Sequence, residues 1–367
     1  VSTNSIHLLH VFPSFEIGGA QMRFARLVHN HGSRYRHSII ALDNVVEMGS
    51  RLPKDADVQF RTVNYRKGRL WTSLRTFGRT IGEIDPDILV TYNWGAIEWA
   101  LANRLGPRRK HVHIEDGFGP EEARRQLVRR VWLRRLALSG VQTTVVLPSR
   151  NLEQIALHRW RLQASHVLYI PNGIDCERFQ VDTHERRDRP PPVTIGTVAT
   201  LRREKNIPRL IEAFCSVAKD FPKNQLALLI VGDGPERRML EGLITRSPYA
   251  DQIELMGATS EPELCYRRMD VFALSSHTEQ MPLSVLEAMA AGLPVVSPSV
   301  GDVPNIVSSE NAAQIVAVDD EPAFRSAIAA LLRSADLRLA IGQANQLKAR
   351  EQFGERLMAT RYARVFG

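Results

Sequence analysis

The feature that most narrows what this chain can fold into is a rhythm: short apolar, β-branched runs alternate with longer amphipathic or basic segments, twice over. In the first series, residues 6–12 (Ile-His-Leu-Leu-His-Val-Phe), 38–42, 88–92, 111–114 and 143–147 read as buried strands. Such runs separated by helix-length segments argue for a parallel sheet, because parallel neighbours need a long, usually helical, crossover. A second series is expected over 193–198, 227–231, 253–256, 271–274, 294–296 and 314–316. Between the two lies a charged segment ending in Pro190-Pro191-Pro192, the strongest linker signal in the chain. The expectation is an α/β protein with one βα domain over 1–176, a linker over 177–192, and a second βα domain over 193–348. Phe353, Leu357, Tyr362 and Phe366 recur at roughly helical spacing, so 349–367 is read as a terminal helix that crosses back to the first domain.

A length of 367 residues suits this division, since domains of about 150 to 200 residues are common. The apolar share of 44% and charged share of 24% are those of a soluble globular protein. No apolar run approaches the roughly 20 residues that span a bilayer, and residues 7–12 lack the basic lead and cleavage site of a signal peptide. The expected location is the cytoplasm, with a peripheral position at the inner face of the cytoplasmic membrane as an extension. Cys176, Cys215 and Cys265 are odd in number and scattered, which implies neither a disulfide framework nor a zinc site.

Charge is uneven. Residues 1–175 hold 25 Lys and Arg against 15 Asp and Glu, whereas 176–367 hold 23 against 25. A basic first half points to an anionic partner. Arg124, Arg125, Arg129, Arg130, Arg134 and Arg135 recur in pairs around Leu127, Val128, Val131, Trp132 and Leu136. This segment reads either as a helix that meets an anionic membrane surface, with Trp132 at the interface, or as an ordinary helix packed on the first sheet. Arg66, Lys67, Arg69, Arg75 and Arg79 extend the basic inventory. No nucleic-acid motif accompanies it, so nucleic acid is not an expected partner.

Four features carry chemistry. Gly18-Gly19 follows the first strand and opens a helix, which is how nucleotide folds begin. Gly232-Asp233-Gly234-Pro235 follows the strand at 227–231, and Lys205 follows the strand at 193–198. The stretch from Glu279 to Val296 places a carboxylate, a Pro-bearing turn, a helix opening at Ser284 and a second carboxylate, Glu287, one turn in. Unpaired amides and the partial positive charge at a helix start favour diphosphate, while carboxylates accept hydrogen bonds from sugar hydroxyls. Diphosphate plus hydroxyls suggests a nucleotide-sugar.

In this order the pieces resemble the retaining glycosyltransferases of family 4, which have the GT-B fold of two Rossmann-like domains facing across a cleft. The resemblance covers nearly the whole chain. It rests on Gly18-Gly19, Pro171-Asn172-Gly173-Ile174-Asp175, Glu204-Lys205-Asn206, Val231-Gly232-Asp233-Gly234-Pro235, and above all the E-x7-E spacing of Glu279 and Glu287 with the Glu-Ala-Met-Ala-x-Gly-x-Pro-Val-Val run and Gly301. It implies that Glu279 bonds donor-sugar hydroxyls and Glu287 holds the ribose. Gln280, Met281, Leu283 and Ser284 would line the sugar and diphosphate with backbone amides. Lys205 would neutralise the departing diphosphate, and Gly18, Gly19, Gly232 and Gly234 would let backbone approach the nucleotide. The second domain would bind the donor and the first the acceptor, a saccharide or lipid-linked acceptor in bacterial envelope polysaccharide or glycolipid assembly. No cofactor is implied beyond the nucleoside-diphosphate sugar itself, with UDP preferred to GDP.

Two positions depart from the family pattern. Thr200 stands where an Arg is usual five residues before the Lys, with Arg202 on the same loop as a substitute. Asp116-Gly117 stands where a His-Gly pair is usual, making Asp116 the candidate reactive-centre residue and His113 and Glu115 the candidate acceptor contacts. These departures keep open a non-catalytic protein that binds nucleotide-sugar or glycan on the same fold. A phosphorylase is disfavoured, because no lysine context for pyridoxal phosphate is evident. Asp85-Pro86-Asp87 has the D-x-D form of a metal site, but it enters the strand at 88–92 at the end away from the cleft, so no metal is expected.

Overall fold

The computed structural model describes residues 5–65, 68–118, 122, 126–181 and 190–367. Two compact units divide the chain: Val1–Gly173 with Arg356–Gly367, and Ile174–Glu355. The first holds seven strands, β1 (Ile6–Phe12), β2 (Tyr35–Ala41), β3 (Val58–Arg61), β4 (Ile88–Tyr92), β5 (Lys110–Ile114), β6 (Thr143–Leu147) and β7 (Val167–Tyr169), in the order β3-β2-β1-β4-β5-β6-β7. Every ladder is parallel. Alternate side chains feed two cores, as strand geometry requires. Leu8, Phe12 and Val90 pack with Phe24 of helix Gly19–His31, while Leu9, Val11 and Leu89 pack with Phe77 and Ile81 of helix Leu70–Ile84.

The second unit repeats the plan with six strands, β8 (Val193–Val198), β9 (Leu226–Val231), β10 (Ile253–Gly257), β11 (Val271–Ala273), β12 (Val295–Pro298) and β13 (Ile315–Val316), ordered β10-β9-β8-β11-β12-β13. These ladders are also parallel. Strand order reverses between β1 and β4 in one unit and between β8 and β11 in the other. The carboxyl ends of strands at such a reversal open a crevice in which doubly wound sheets bind ligands.

The sequence reading missed β3 and β7. Both are edge strands: β3 is mostly exposed and β7 has only three residues, so neither carries a continuous apolar run. The division between units also falls earlier than the expected 176. Ile174 donates to the Phe353 carbonyl at 2.8 Å and accepts from the Glu355 amide at 2.9 Å, and Phe179 is buried in the second unit's core. Helix Cys176–Phe179 is therefore packed structure, not linker. Residues 182–189 of the expected linker lie outside the described residues, as do Arg66, Lys67, Arg124 and Arg125. At the far end, helix Ala335–Phe353 belongs to the second unit. Helix Glu355–Phe366 then places Met358, Tyr362 and Phe366 in the first unit's core.

Several histidines sit inside the first sheet. His10 Nδ1 lies 3.1 Å from the Tyr92 hydroxyl and its Nε2 3.0 Å from His37 Nδ1, while His111 Nε2 lies 2.8 Å from Thr91 Oγ1. Burial pushes His10 well below the ordinary histidine range, His37 down to about 4 and His111 down to about 3. Each ring is held neutral in the fold but accepts a proton once unfolded, so its stabilisation is complete above an unfolded pKa near 6.5 and is lost as pH falls below it. Urea titrations at pH 7.5 and pH 5.0 are expected to differ by roughly 1–2 kcal/mol for each buried ring. A denaturation midpoint unchanged between the two would contradict neutral burial.

Candidate functional site

In the second unit, loops leaving the carboxyl ends of four strands are tied into one cluster. The loop after β8 joins the loop after β9 where Leu201 donates to the Asp233 carbonyl at 2.9 Å and Glu236 donates to the Leu201 carbonyl at 3.0 Å. It joins the loop after β11 where Ser275 Oγ donates to the Lys205 carbonyl at 2.8 Å and His277 donates to the Glu204 carbonyl at 2.8 Å. The loop after β12 closes the set, with Asp302 donating to the Gln280 carbonyl at 2.8 Å. Two glycines permit these approaches. At Gly232, φ is 136° and a Cβ would stand 1.9 Å from the Ala199 carbonyl oxygen. At Gly301, φ is 54° and a Cβ would stand 2.5 Å from the Glu279 carbonyl oxygen.

Within this cluster Lys205 Nζ donates to Glu279 Oε1 at 2.5 Å, and Ser276 Oγ donates to the same oxygen at 2.7 Å. Lys205 lies on a short 3-10 turn, Arg203–Lys205, which Asn206 ends in the left-handed conformation before helix Ile207–Ala218. The Lys205 side chain is 24% exposed and that of Glu279 is 10% exposed, so both ends of the pair are shielded yet reachable. Thr200 and Arg202 are exposed on the same loop.

The helix after Glu279 runs Leu283–Ala290 with Pro282 at its N-cap, one residue earlier than the expected opening at Ser284. Pro282 fixes the entering backbone, and no side chain caps the first turn. The Leu283 and Ser284 amides precede the first turn's bond, in which Val285 donates to the Pro282 carbonyl at 3.2 Å. Gln280 is half-buried and its buried Oε1 has no hydrogen-bond partner, whereas Met281 is buried in the core. Glu287, one turn in, accepts from the Tyr266 hydroxyl at 2.8 Å. Burial, and then the Glu287 charge, pushes the Tyr266 phenol well above its usual range, so it stays a donor. Ser276 and Tyr266 were missed by the sequence reading. The signal for Ser276 was its place just past the β11 run, whereas Tyr266 reaches Glu287 from helix Pro262–Arg268 with no local signal.

In the first unit, Gly18 caps helix Gly19–His31 at φ −158°, an extended conformation open to any residue. A Cβ there would meet only the end of the Gln21 side chain, at 2.8 Å. The fold itself does not require this glycine. Asp116 follows β5 and is held by Arg23: Nη2 donates to Oδ2 at 2.8 Å, and Nη1 donates to Oδ1 and, at 3.0 Å, to Asn172 Oδ1. The Asp116 amide donates to Asn93 Oδ1 at 2.7 Å. Arg23, 2% exposed in its side chain, is a site residue that the sequence reading did not anticipate.

His113 and Glu115 require correction as acceptor contacts, because both side chains are fully buried. His113 Nδ1 lies 2.8 Å from Thr91 Oγ1, and Glu115 Oε2 accepts from Arg134 Nε at 3.2 Å. Arg134, one of the paired arginines, also turns inward. It is fully buried, donates to Glu122 at 3.2 and 3.0 Å, and lies over the rings of Trp94, Phe118 and Trp160 at 4.9, 5.2 and 5.1 Å. Burial pushes the Glu122 carboxyl up, but the hydrogen bonds and charge of Arg134 outweigh it and hold it below the usual range. This arginine builds the interior beneath Asp116's strand instead of a basic surface.

Asp85 and Asp87 lie at the amino end of β4. Asp85 pairs with Arg109, and Asp87 Oδ2 accepts from the His7 amide at 2.7 Å. Among the described residues no three His, Cys, Asp or Glu side chains are grouped to hold a metal ion.

Two parallel-sheet units of seven and six strands define a GT-B glycosyltransferase fold. The structure of Anabaena Alr3699/HepE in complex with UDP superposes with a TM-score of 0.81 over 98% of each chain, at 18% identity. The chain belongs to the family 4 glycosyltransferases: the profile for Glycosyltransferase Family 4 matches residues 17–178, and that for Glycosyl transferases group 1 matches residues 182–348. Among curated relatives, the alpha-monoglucosyldiacylglycerol synthase of Acholeplasma laidlawii is 37% identical over 35% of this chain and 34% of its own length. The GDP-mannose-dependent alpha-(1-6)-phosphatidylinositol monomannoside mannosyltransferase of Mycobacterium tuberculosis is 30% identical over 50% of this chain and 51% of its own. The chain thus spans about a third to a half of the length of the curated relatives it matches.

Proposed function

We propose that this protein is a retaining glycosyltransferase that moves a sugar from a nucleoside-diphosphate sugar, UDP in preference to GDP, onto a hydroxyl of a saccharide or lipid-linked acceptor in bacterial envelope assembly, without a metal ion. The observation that carries the proposal is the Lys205–Glu279 pair, 2.5 Å apart at the strand ends beside the start of helix Leu283–Ala290. When donor enters, Lys205 exchanges Glu279 for the diphosphate, and the freed carboxylate accepts hydrogen bonds from the sugar. As the bond from anomeric carbon to diphosphate breaks, negative charge grows on the leaving group. Lys205 and the first-turn amides oppose that charge most strongly in the transition state. Glu287, oriented by Tyr266, accepts from the ribose.

Relatives' names agree with this substrate class: one is a monoglucosyldiacylglycerol synthase, another a GDP-mannose-dependent mannosyltransferase, and HepE was solved with UDP. Arg23 engages both oxygens of Asp116, so this carboxylate meets a hydroxyl through its remaining lone pairs. The same ion pair, with Thr200 in place of a guanidinium, favours a second reading as a non-catalytic binding protein. Incubation of purified protein with UDP- and GDP-sugars separates the two: slow release of free sugar supports the enzyme, and binding with no release supports the second reading.

We infer that an anionic membrane surface is a further partner. Helix Val128–Leu138 exposes Val128 (64%), Trp132 (63%) and Leu136 (53%) at four-residue spacing, with Arg129 and Arg135 alongside. Apolar side chains between arginines suit the boundary between acyl chains and anionic headgroups. No helix among the described residues is long and apolar enough to cross a membrane. The double variant Trp132→Ala/Arg129→Gln is expected to lower cosedimentation with phosphatidylglycerol vesicles by about tenfold or more. Equal sedimentation of variant and wild type would remove this partner.

A further inference from the structure

The first unit holds a polar cavity of about 550 Å³ that the strand-end site does not use. It lies where β1, β2 and β3 meet helix Leu70–Ile84. Three guanidinium groups line it: Arg36 from β2, Arg61 from β3 and Arg79 from the helix, against the single carboxylate of Glu83. Arg61 Nη2 donates to Gln59 Oε1 at 2.7 Å, and none of the three arginines forms an ion pair with a carboxylate among the described residues. Like charges on neighbouring elements repel, and an anion held between them relieves that repulsion.

Neutral polar side chains complete the lining. His7 lines the cavity at 6% exposure, with Nε2 2.9 Å from Ser38 Oγ and with a buried Nδ1 that has no hydrogen-bond partner. An unpaired buried polar atom is costly and rare in a folded interior. Burial, and then the Arg36 charge, pushes this ring below the ordinary histidine range, against the pull of Asp87 and Asp57. Thr62, Asn64, Thr76 and Thr80 add hydroxyl and amide groups to the wall. Thr76 and Asn64 also line an adjoining cavity of about 360 Å³ bordered by Arg69.

We propose that this cavity binds the phosphate ester of a polyol: the guanidiniums take the phosphate oxygens, and the threonine and asparagine side chains take the neighbouring hydroxyls. Arginine forks suit phosphate oxygens, and the ligand chemistry is that of a sugar phosphate or of a phospholipid headgroup. The test is calorimetric titration of the full chain, at about 0.15 M salt to screen non-specific attraction. The probes are inorganic phosphate, glucose 6-phosphate and phosphatidylglycerol vesicles, tested against wild type and Arg61→Gln/Arg79→Gln. Both substituted side chains are exposed, and a melting curve like that of wild type verifies the fold.

Saturable wild-type binding that weakens about tenfold or more in the double variant is expected, with UDP affinity unchanged as a separate reading of the strand-end site. Preference for glucose 6-phosphate over vesicles would identify a soluble ester, and the reverse a headgroup; both support the site. No binding of any probe, or equal binding by wild type and variant, would overturn it.

Discussion

Lys205→Ala is expected to slow sugar transfer by roughly 10²–10³-fold, the usual loss when one preorganised group facing developing charge is removed. The ammonium lies 2.5 Å from Glu279, on a turn whose carbonyl groups bind Ser275 and His277 across the cluster. The backbone of the turn is therefore tied in place, and on the proposed reading only the Lys205 side chain exchanges one partner, Glu279, for the diphosphate. Because its effect grows as the diphosphate departs, the loss should fall mainly on kcat. Glu279→Gln should also slow transfer, since the amide keeps a contact with Ser276 but no longer balances Lys205. Initial rates with a UDP-sugar, alongside UDP affinity, check both variants. Unchanged rates in both would rule out this pair as the reacting centre.

Arg134→Met is expected to destabilise the first unit by about 3–5 kcal/mol, the cost of removing one partner from a buried ion pair. Methionine approaches the lost volume but leaves the buried carboxylates of Glu115 and Glu122 without their shared cation. The control is Arg129→Gln on the same helix, an exposed change expected to stay within about 0.5 kcal/mol. Urea unfolding followed by tryptophan fluorescence compares them directly, because Trp94 and Trp160 lie against the Arg134 guanidinium. Equal midpoints for the two variants would show that Arg134 is no more structural than its exposed neighbour.

Arg134 also shows where sequence reasoning stops. In a run such as Arg129-Arg130 and Arg134-Arg135, helical spacing alone does not say which guanidinium turns inward. That depends on Glu115 and Glu122, 19 and 12 residues away, and on rings brought in by other elements. The Arg23–Asp116 pair spans 93 residues and left no local trace. Central strands were legible because both faces are buried and their runs are mostly apolar, whereas β3 and β7 form edges. In the second unit, Lys205, Gly232, Glu279 and Glu287 could be grouped in advance because each follows a strand that a βα repeat aligns in parallel. Tyr266 could not, since a helix face reaching across to Glu287 is a tertiary event.

The most direct test of the donor site is calorimetric titration of UDP and GDP into wild type and Glu287→Ala. A ribose hydroxyl bound by a carboxylate contributes a charge-assisted hydrogen bond, so wild type should bind at least one nucleotide saturably and Glu287→Ala should bind it about tenfold more weakly. Equal affinity in the two proteins, or no binding of either nucleotide by wild type, would contradict the assignment of this strand-end cluster to the donor.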